Sequence, residues 1–302
     1  MTENSSVWIV TGAASGIGAS VTRSVAATGQ RVLALDVADK DGQAVAQSCG
    51  AIYEHCDVGS VSDWQKVVKR LSELGAPTNI HLNAGIQIAP PEAPLTEYQF
   101  DAMSIDRYRR MMSVNVDGVV FGLQALLPLL PSGSAIVVTA SLAGITPYSV
   151  DPLYAMSKHA VVGLVRSLAP TLADRNIKIN AICPGGIDTG IIPEAQRIRD
   201  AIFMTPENVA AEVIRLMSVE ETGKTWAKVS ESKPAFIVRA AGDKSYESQV
   251  AIIIRHAVRT KSFSLVDDKP SIPFYWANGC FLVIASTMKT TFLPTKGICN
   301  AS

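Results

Sequence analysis

The chain has 302 residues, 48% of them hydrophobic and only 18% charged, with 27 basic side chains against 27 acidic ones. This composition supports a compact globule with a large core and argues against intrinsic disorder, and a formal net charge of zero removes the counterion release that drives binding to DNA or RNA. Cys49, Cys56, Cys183, Cys280 and Cys299 are odd in number and widely spaced without a C-x-x-C pair, which fits a reducing, cytoplasmic setting better than a disulfide framework or a zinc site.

The polar start, residues 1–6, lacks the basic segment of a secretion signal. Residues 7–11 form a short apolar run ended by Gly12, and residues 19–27 carry apolar side chains at helical spacing up to Gly29, which predicts strand, loop and helix. Further strands are expected at 31–36, 51–58, 79–83, 134–141 and 177–183, with helices at 62–74, 106–127 and 151–173. A last helix at 206–217 and a closing strand at 235–241 complete the pattern. Strands that alternate with helices pair in parallel through right-handed crossovers, so the fold class is α/β with a doubly wound parallel sheet. Ligands of such sheets sit at the carboxyl ends of the strands.

From Ser245 onward the register changes. An apolar run at 250–254 is followed by residues 270–288 without one charged side chain, a stretch of nearly membrane-spanning length that Pro273, Asn278 and Gly279 interrupt. No βα unit is legible there, and a packed or loose extension is preferred to a membrane span.

The loop Thr11-Gly12-Ala13-Ala14-Ser15-Gly16-Ile17-Gly18 lies between a predicted strand and a predicted helix, the context a phosphate-binding turn requires. Gly12 permits the turn, Gly16 admits a pyrophosphate, and Gly18 lets helix and sheet approach closely, while free N–H groups at the helix start attract the anion. Asp36 ends the second strand, placed to accept hydrogen bonds from an adenosine ribose and to repel a 2′-phosphate. No arginine follows it directly, so NAD is expected rather than NADP.

With Ser141, Tyr154 and Lys158 the chain resembles the short-chain dehydrogenase/reductase family, whose active site combines Ser with Tyr-x-x-x-Lys. Five further pieces stand in the family's order: TGAASGIG from Thr11, Asp57-Val58, Asn83-Ala84-Gly85, Asn115, and Pro184-Gly185 followed by Ile187 and Thr189. The resemblance covers about residues 7–242. It implies a Rossmann-type NAD-binding catalytic domain over residues 1–243, with 244–302 an atypical C-terminal extension that the family does not usually carry. It also implies hydride transfer between NAD(H) and a small-molecule secondary alcohol or ketone, with Tyr154 as general acid/base.

In this reading Lys158, one helical turn after Tyr154, lowers the phenol's pKa from its free value of about 10 and holds the nicotinamide ribose. Ser141 bonds the substrate oxygen, and Asn115 supports a water that links Lys158 to solvent. Ser15, Gly16, Ile17 and Gly18 meet the pyrophosphate, Asp57 and Val58 flank the adenine, and Asn83, Ala84 and Gly85 bring backbone close to the cofactor. Pro184, Gly185, Ile187 and Thr189 shape the nicotinamide side, Thr189 bonding the carboxamide. Residues 187–203 form a short lid, and Gln87, Leu142, Tyr148 and Asp151 give a pocket of mixed polarity.

His55, His81, His159 and His256 are read as structural, and no metal is expected. The two long helices carry apolar residues on more than one face and in relatives pair between subunits, so a homodimer or homotetramer is expected, without nucleic-acid or membrane partners. The rival reading is an NAD-sensing regulatory or interaction protein that does not turn over, since fold alone does not guarantee chemistry.

Overall fold

The computed structural model describes residues 6–197, 203–239, 274–277 and 280–283. The chain separates into two compact units, Met1–Val238 and Arg239–Ser302.

The first unit is built on one sheet whose strands run β1 (Val7–Thr11), β2 (Arg31–Asp36), β3 (Ile52–His55), β4 (Pro77–Leu82), β5 (Ala135–Thr139), β6 (Lys178–Pro184), β7 (Thr225–Lys228) and β8 (Phe236–Val238). Their spatial order is β3-β2-β1-β4-β5-β6-β7-β8, so the chain winds one way from β1 to β3 and the other way from β4 onward. All neighbours are parallel except β7 and β8. The helices are α1 (Gly16–Ala26), α2 (Asp39–Cys49), α3 (Val61–Leu74), α4 (Ile105–Met112), α5 (Gly118–Leu126), α6 (Pro152–Ala173) and α7 (Pro206–Leu216).

Both faces of the sheet are covered, which is why its strands read as continuous apolar runs. Val7, Ile9, Leu33 and Leu35 pack with Trp64, Val67, Val119 and Val165 on one side; Trp8, Val10, Val32 and Ala34 pack with Val21, Val25, Val209 and Val213 on the other. Adjacent residues of one strand therefore belong to different cores, the period-two consequence of the pleat.

Three features depart from the sequence reading. Helix α2 is not among the expected elements, because Asp39, Lys40, Asp41 and Gly42 open it, yet Gly42 is what lets the helix lie on β3: a Cβ there would come 2.2 Å from the Tyr53 ring. Strand β7 escapes notice because it is four residues long and ends in Lys228, which is buried with its ammonium bonded to the Lys233 carbonyl at 2.6 Å. The closing strand is β8, and it turns back antiparallel against β7 instead of extending the parallel set.

Residues 106–127 do form a nearly continuous helical rod, but a π turn at Ser113–Asp117 interrupts it. By length and composition Ile105–Leu129 is the one described run apolar enough to cross a membrane.

In the second unit Phe274–Ala277 (β9) and Cys280–Val283 (β10) pair antiparallel as a hairpin within the uncharged stretch. The run at 250–254, His256, Cys299 and residues 198–202 of the expected lid lie outside the described residues.

Candidate active site

A cleft of about 1270 Å³ opens at the carboxyl ends of β1, β4, β5 and β6, where the strand order reverses between β1 and β4. It gathers most of the residues singled out in the sequence. Gly12, Ser15, Gly16, Ile17 and Asp36 line one end, followed by Asp57, Val58, Asn83, Ala84 and Gly85. Ser141, Tyr154 and Lys158 line the other end with Pro184, Gly185, Ile187 and Thr189. Gly18 and Asn115 stand behind this wall.

The glycine loop is held by contacts that only glycine allows. Gly12 has φ +66 and Gly16 φ +51, left-handed values that strain any other side chain. Gly18 is helical, but a Cβ there would fall 2.1 Å from the Gly12 carbonyl oxygen. Asn83 fastens the loop from β4: its amide Nδ2 donates to the Thr11 carbonyl at 3.1 Å and its main-chain N–H to Thr11 Oγ1 at 2.8 Å. Thr139 donates to Asn83 Oδ1 at 3.1 Å and meets His81 Nε2 at 2.8 Å. Burial lowers His81 to a pKa of about 3, so the ring is neutral and serves this network, as a structural histidine would. His55 meets the Asp39 carboxylate and His159 the Ala155 carbonyl.

Asp36 accepts from the main-chain N–H of Ala14 at 2.9 Å and of Ala38 at 3.0 Å. The carboxylate is thus pinned at the cleft rim between the glycine loop and the start of α2. Asp39, three residues on, adds a second negative charge, held below the usual carboxylate range by its hydrogen bonds from Tyr53 and then His55.

Helix α6 carries Tyr154 and Lys158 one turn apart, so both project from the same face. The Lys158 ammonium is buried, lies 5.6 Å from the centre of the Tyr154 ring and donates to the Thr139 carbonyl at 3.1 Å. Burial lowers its pKa from 10.5 to about 8. Burial also raises the Tyr154 phenol above its ordinary value, opposed by a hydrogen bond with the Ser141 side chain. Desolvation therefore outweighs the lowering that the sequence predicts from the neighbouring cation. Gly85 separates this pair from Asn115: a Cβ on it would lie 3.0 Å from Lys158 Nζ and 3.4 Å from Asn115 Oδ1.

Asn115 is fully buried inside the π turn. Its amide accepts from Ile86 N and donates to Ile86 O, both at 2.8 Å, and donates to Ser157 Oγ at 3.0 Å. Its side chain fixes the segment after β4 and does not face the cleft. Asp151, read as a pocket residue, is also absent from the wall. It caps α6, accepting from Tyr154 N at 2.8 Å and from Ile88 N at 2.9 Å.

The lid is anchored through Ile187, which bridges Met204, and through Arg197, which pairs with Asp188 and lies 5.9 Å from the Phe203 ring. Gln87, Leu142 and Tyr148 line the cleft as expected. The sequence reading missed Arg107, Arg110, Val114 and Gln196, which also line it. Arg107, Arg110 and Val114 share one face at spacings of three and four, but nothing in a linear pattern says which face of a long helix meets a cleft.

Comparison with known proteins agrees with this architecture. A family model described as short chain dehydrogenase matches residues 6–199. The 2,5-dichloro-2,5-cyclohexadiene-1,4-diol dehydrogenase of Sphingobium indicum is 34% identical over 62% of this chain and 74% of its own length. The mitochondrial borneol dehydrogenase of Lavandula x intermedia is 30% identical over 71% of this chain and 84% of its own. Among solved structures, a short-chain dehydrogenase/reductase described as a glucose/ribitol dehydrogenase, from Brucella melitensis, superposes with a TM-score of 0.68 at 27% identity, covering 75% of this chain and 96% of that one. With a glycine loop opening α1, a Tyr-x-x-x-Lys pair on α6 and a matching family model over most of the first unit, the chain belongs to the short-chain dehydrogenase/reductase family of oxidoreductases, whose members use a nicotinamide cofactor.

Proposed function

We propose that this protein oxidises a secondary alcohol to a ketone, or runs the reverse reaction, with NAD(H) as the hydride carrier and Tyr154 as the acid/base. The observation that carries the proposal is the convergence of Ser141, Tyr154 and Lys158 in one cleft with the glycine loop. A protein that only sensed the nucleotide would have no use for a buried phenol beside a buried ammonium.

The residues present fit a dinucleotide. Thr189 Oγ1 is buried without a partner, next to the position a Cβ on Gly16 would occupy, and an amide would satisfy it. Ser15, Gly16, Ile17 and, from behind, Gly12 and Gly18 would hold the pyrophosphate, Asp36 the adenosine ribose, and Asp57 and Val58 the adenine. Asn83, Ala84, Gly85, Pro184, Gly185 and Ile187 would border the nicotinamide half. The paired carboxylates Asp36 and Asp39 favour NAD over NADP. When bound, the oxidised nicotinamide supplies the hydride acceptor.

Ser141 orients the substrate hydroxyl toward Tyr154, which takes its proton. Lys158 favours the phenolate and would hold the nicotinamide ribose. Asn115 fixes Ile86 and the π turn beside Lys158, and the proton leaves through a water supported there. The catalytic unit spans residues 1–243, with 244–302 an extension, and the protein acts in the cytoplasm. Val120 on α5 and Met156 on α6 are exposed apolar side chains, which supports pairing of these helices in a homodimer or homotetramer.

The test is NADH formation across a panel of ring alcohols at mildly alkaline pH, with NADP as competing cofactor and Tyr154→Phe alongside. NAD-linked turnover that Tyr154→Phe abolishes supports the reading; turnover unchanged in Tyr154→Phe removes Tyr154 from the mechanism. Monomers alone in light scattering at micromolar concentration would remove the oligomer.

A further inference from the structure

The wall beside Tyr154 contains a polar cluster that the reaction proposed above does not use. Gln87 follows β4 and is 8% exposed. Its Nε2 donates to the Ile191 carbonyl of the lid at 2.9 Å, while its Oε1 is buried with no donor. The Gln87 amide also reaches the hydroxyl of Tyr148, which donates to Gln196 Oε1 at 2.9 Å. The Tyr148 ring meets the Tyr154 ring edge-on, with centres 6.1 Å apart. Leu142, Ile191 and Phe203 make the surrounding wall apolar.

A buried amide oxygen is costly to leave without a donor, and a group that pairs with it must bring a proton. A carbonyl, an ether or an alkyl group cannot. Because Gln87 lines the same cleft as Tyr148 and Tyr154, the donor belongs to the same small molecule whose alcohol meets Tyr154.

Resting on the hydride-transfer reading, we propose that the substrate is a largely hydrocarbon diol and that Gln87 is its specificity residue, its Oε1 accepting from the hydroxyl that does not react. The reacting carbon gives up a hydride to the oxidised dinucleotide and its hydroxyl gives up a proton to Tyr154, so one diol yields one hydroxyketone, reduced dinucleotide and H⁺. The remaining hydroxyl is spared. For it to react, the new carbonyl would have to take the Gln87 position, where one acceptor would face another.

The experiment compares cyclohexane-1,2-diol with its monomethyl ether and with cyclohexanol. The ether keeps the second oxygen and removes only its proton. The wild-type protein is expected to favour the diol over the ether by about tenfold in kcat/KM, the worth of one hydrogen bond to a buried acceptor, with product stopping at the hydroxyketone. In Gln87→Met, of similar volume, the ratio should fall close to one. Equal kcat/KM for diol and ether in the wild type, or an undiminished preference in Gln87→Met, overturns the assignment.

Should no alcohol be oxidised, the hydride-transfer reading fails by itself, and binding decides the rest. The diol should then change the fluorescence of the protein–NADH complex at about one tenth of the ether concentration, and equal concentrations overturn the role of Gln87. A protein that binds neither NADH nor NADPH overturns both.

Discussion

The ammonium of Lys158 stands 5.6 Å from the centre of the Tyr154 ring, both groups buried, and burial moves each toward its neutral form. For a lysine this is a cost at neutral pH. Its pKa is about 8 when folded and 10.5 when free, so between these values the unfolded chain holds a proton that the native protein has released. Stability therefore gains with rising pH across that window. Cys183 and Cys56 act in the opposite direction above pH 9, since burial raises them to about 11 and about 12. The difference between wild type and Lys158→Met isolates the lysine. In urea unfolding, the wild type should gain about 3 kcal/mol on the variant between pH 7 and pH 10.5. A difference that does not change with pH would show that the lysine is not desolvated.

For the chemistry the same substitution works in reverse. Without the cation the phenol loses the group that favours its ionised form, so Lys158→Met should shift the pH profile of alcohol oxidation upward and lower the rate at pH 8 by about 10²-fold or more. Tyr154→Phe should lose about 10³-fold at every pH and retain NADH binding. Fluorescence titration with NADH beside initial rates separates the two effects.

Gly18→Ala tests the glycine loop. The added carbon would meet the Gly12 carbonyl oxygen, a main-chain atom, at 2.1 Å and Asn83 Nδ2, which is already bonded to the Thr11 carbonyl, at 2.9 Å. The loop or α1 must shift, at a cost of about 1–3 kcal/mol, and the shift moves the groups that would cradle the pyrophosphate. A lower thermal midpoint together with weaker NADH binding is expected. Unchanged binding in a destabilised variant would limit Gly18 to helix packing.

Most of this site was legible in the sequence because its chemistry is carried by local patterns. The glycine loop and the Tyr-x-x-x-Lys pair each occupy one turn or one helix face, and the strands that present them are uniformly apolar. What escaped was decided by partners distant in the chain. Gly42 reads as a breaker until Tyr53 is laid across it, Lys228 as a surface residue until the Lys233 carbonyl reaches its ammonium, and Asp151 as a pocket carboxylate until Ile88 turns its N–H toward it. The orientation of the Gln87 amide could not be foreseen either, since it is set by the Ile191 carbonyl, more than a hundred residues away in the chain.

Asp36 should set the choice of dinucleotide. Asp36→Ala with Val37→Arg removes the carboxylate and places a cation at an exposed position beside it. The kcat/KM ratio of NAD to NADP should fall by about 10²-fold, the scale of a charge-assisted hydrogen bond lost and another gained. Steady-state kinetics with both nucleotides measures this ratio. Val37→Arg alone should shift it less, because Asp36 and Asp39 would still repel a 2′-phosphate.

Asp151 links stability to catalysis. It is fully buried, and its two oxygens accept from Tyr154 N at the start of α6 and from Ile88 N in the segment after β4. In Asp151→Ala both N–H groups are left without acceptors and α6 loses its cap, for a combined cost of about 2–4 kcal/mol. The helix end that frays is the one that carries Tyr154, so kcat should fall while NADH binding, assigned in the proposal to the loop at the far end of the cleft, should change little. Asp151→Asn retains one acceptor oxygen and turns an NH₂ toward the other N–H, so it should lie between alanine and wild type in both stability and kcat. The order wild type, asparagine, alanine in urea midpoint and in kcat would show that one carboxylate holds both the helix and the phenol. Equal midpoints for all three would mean that main-chain relaxation supplies other acceptors and that the cap is dispensable.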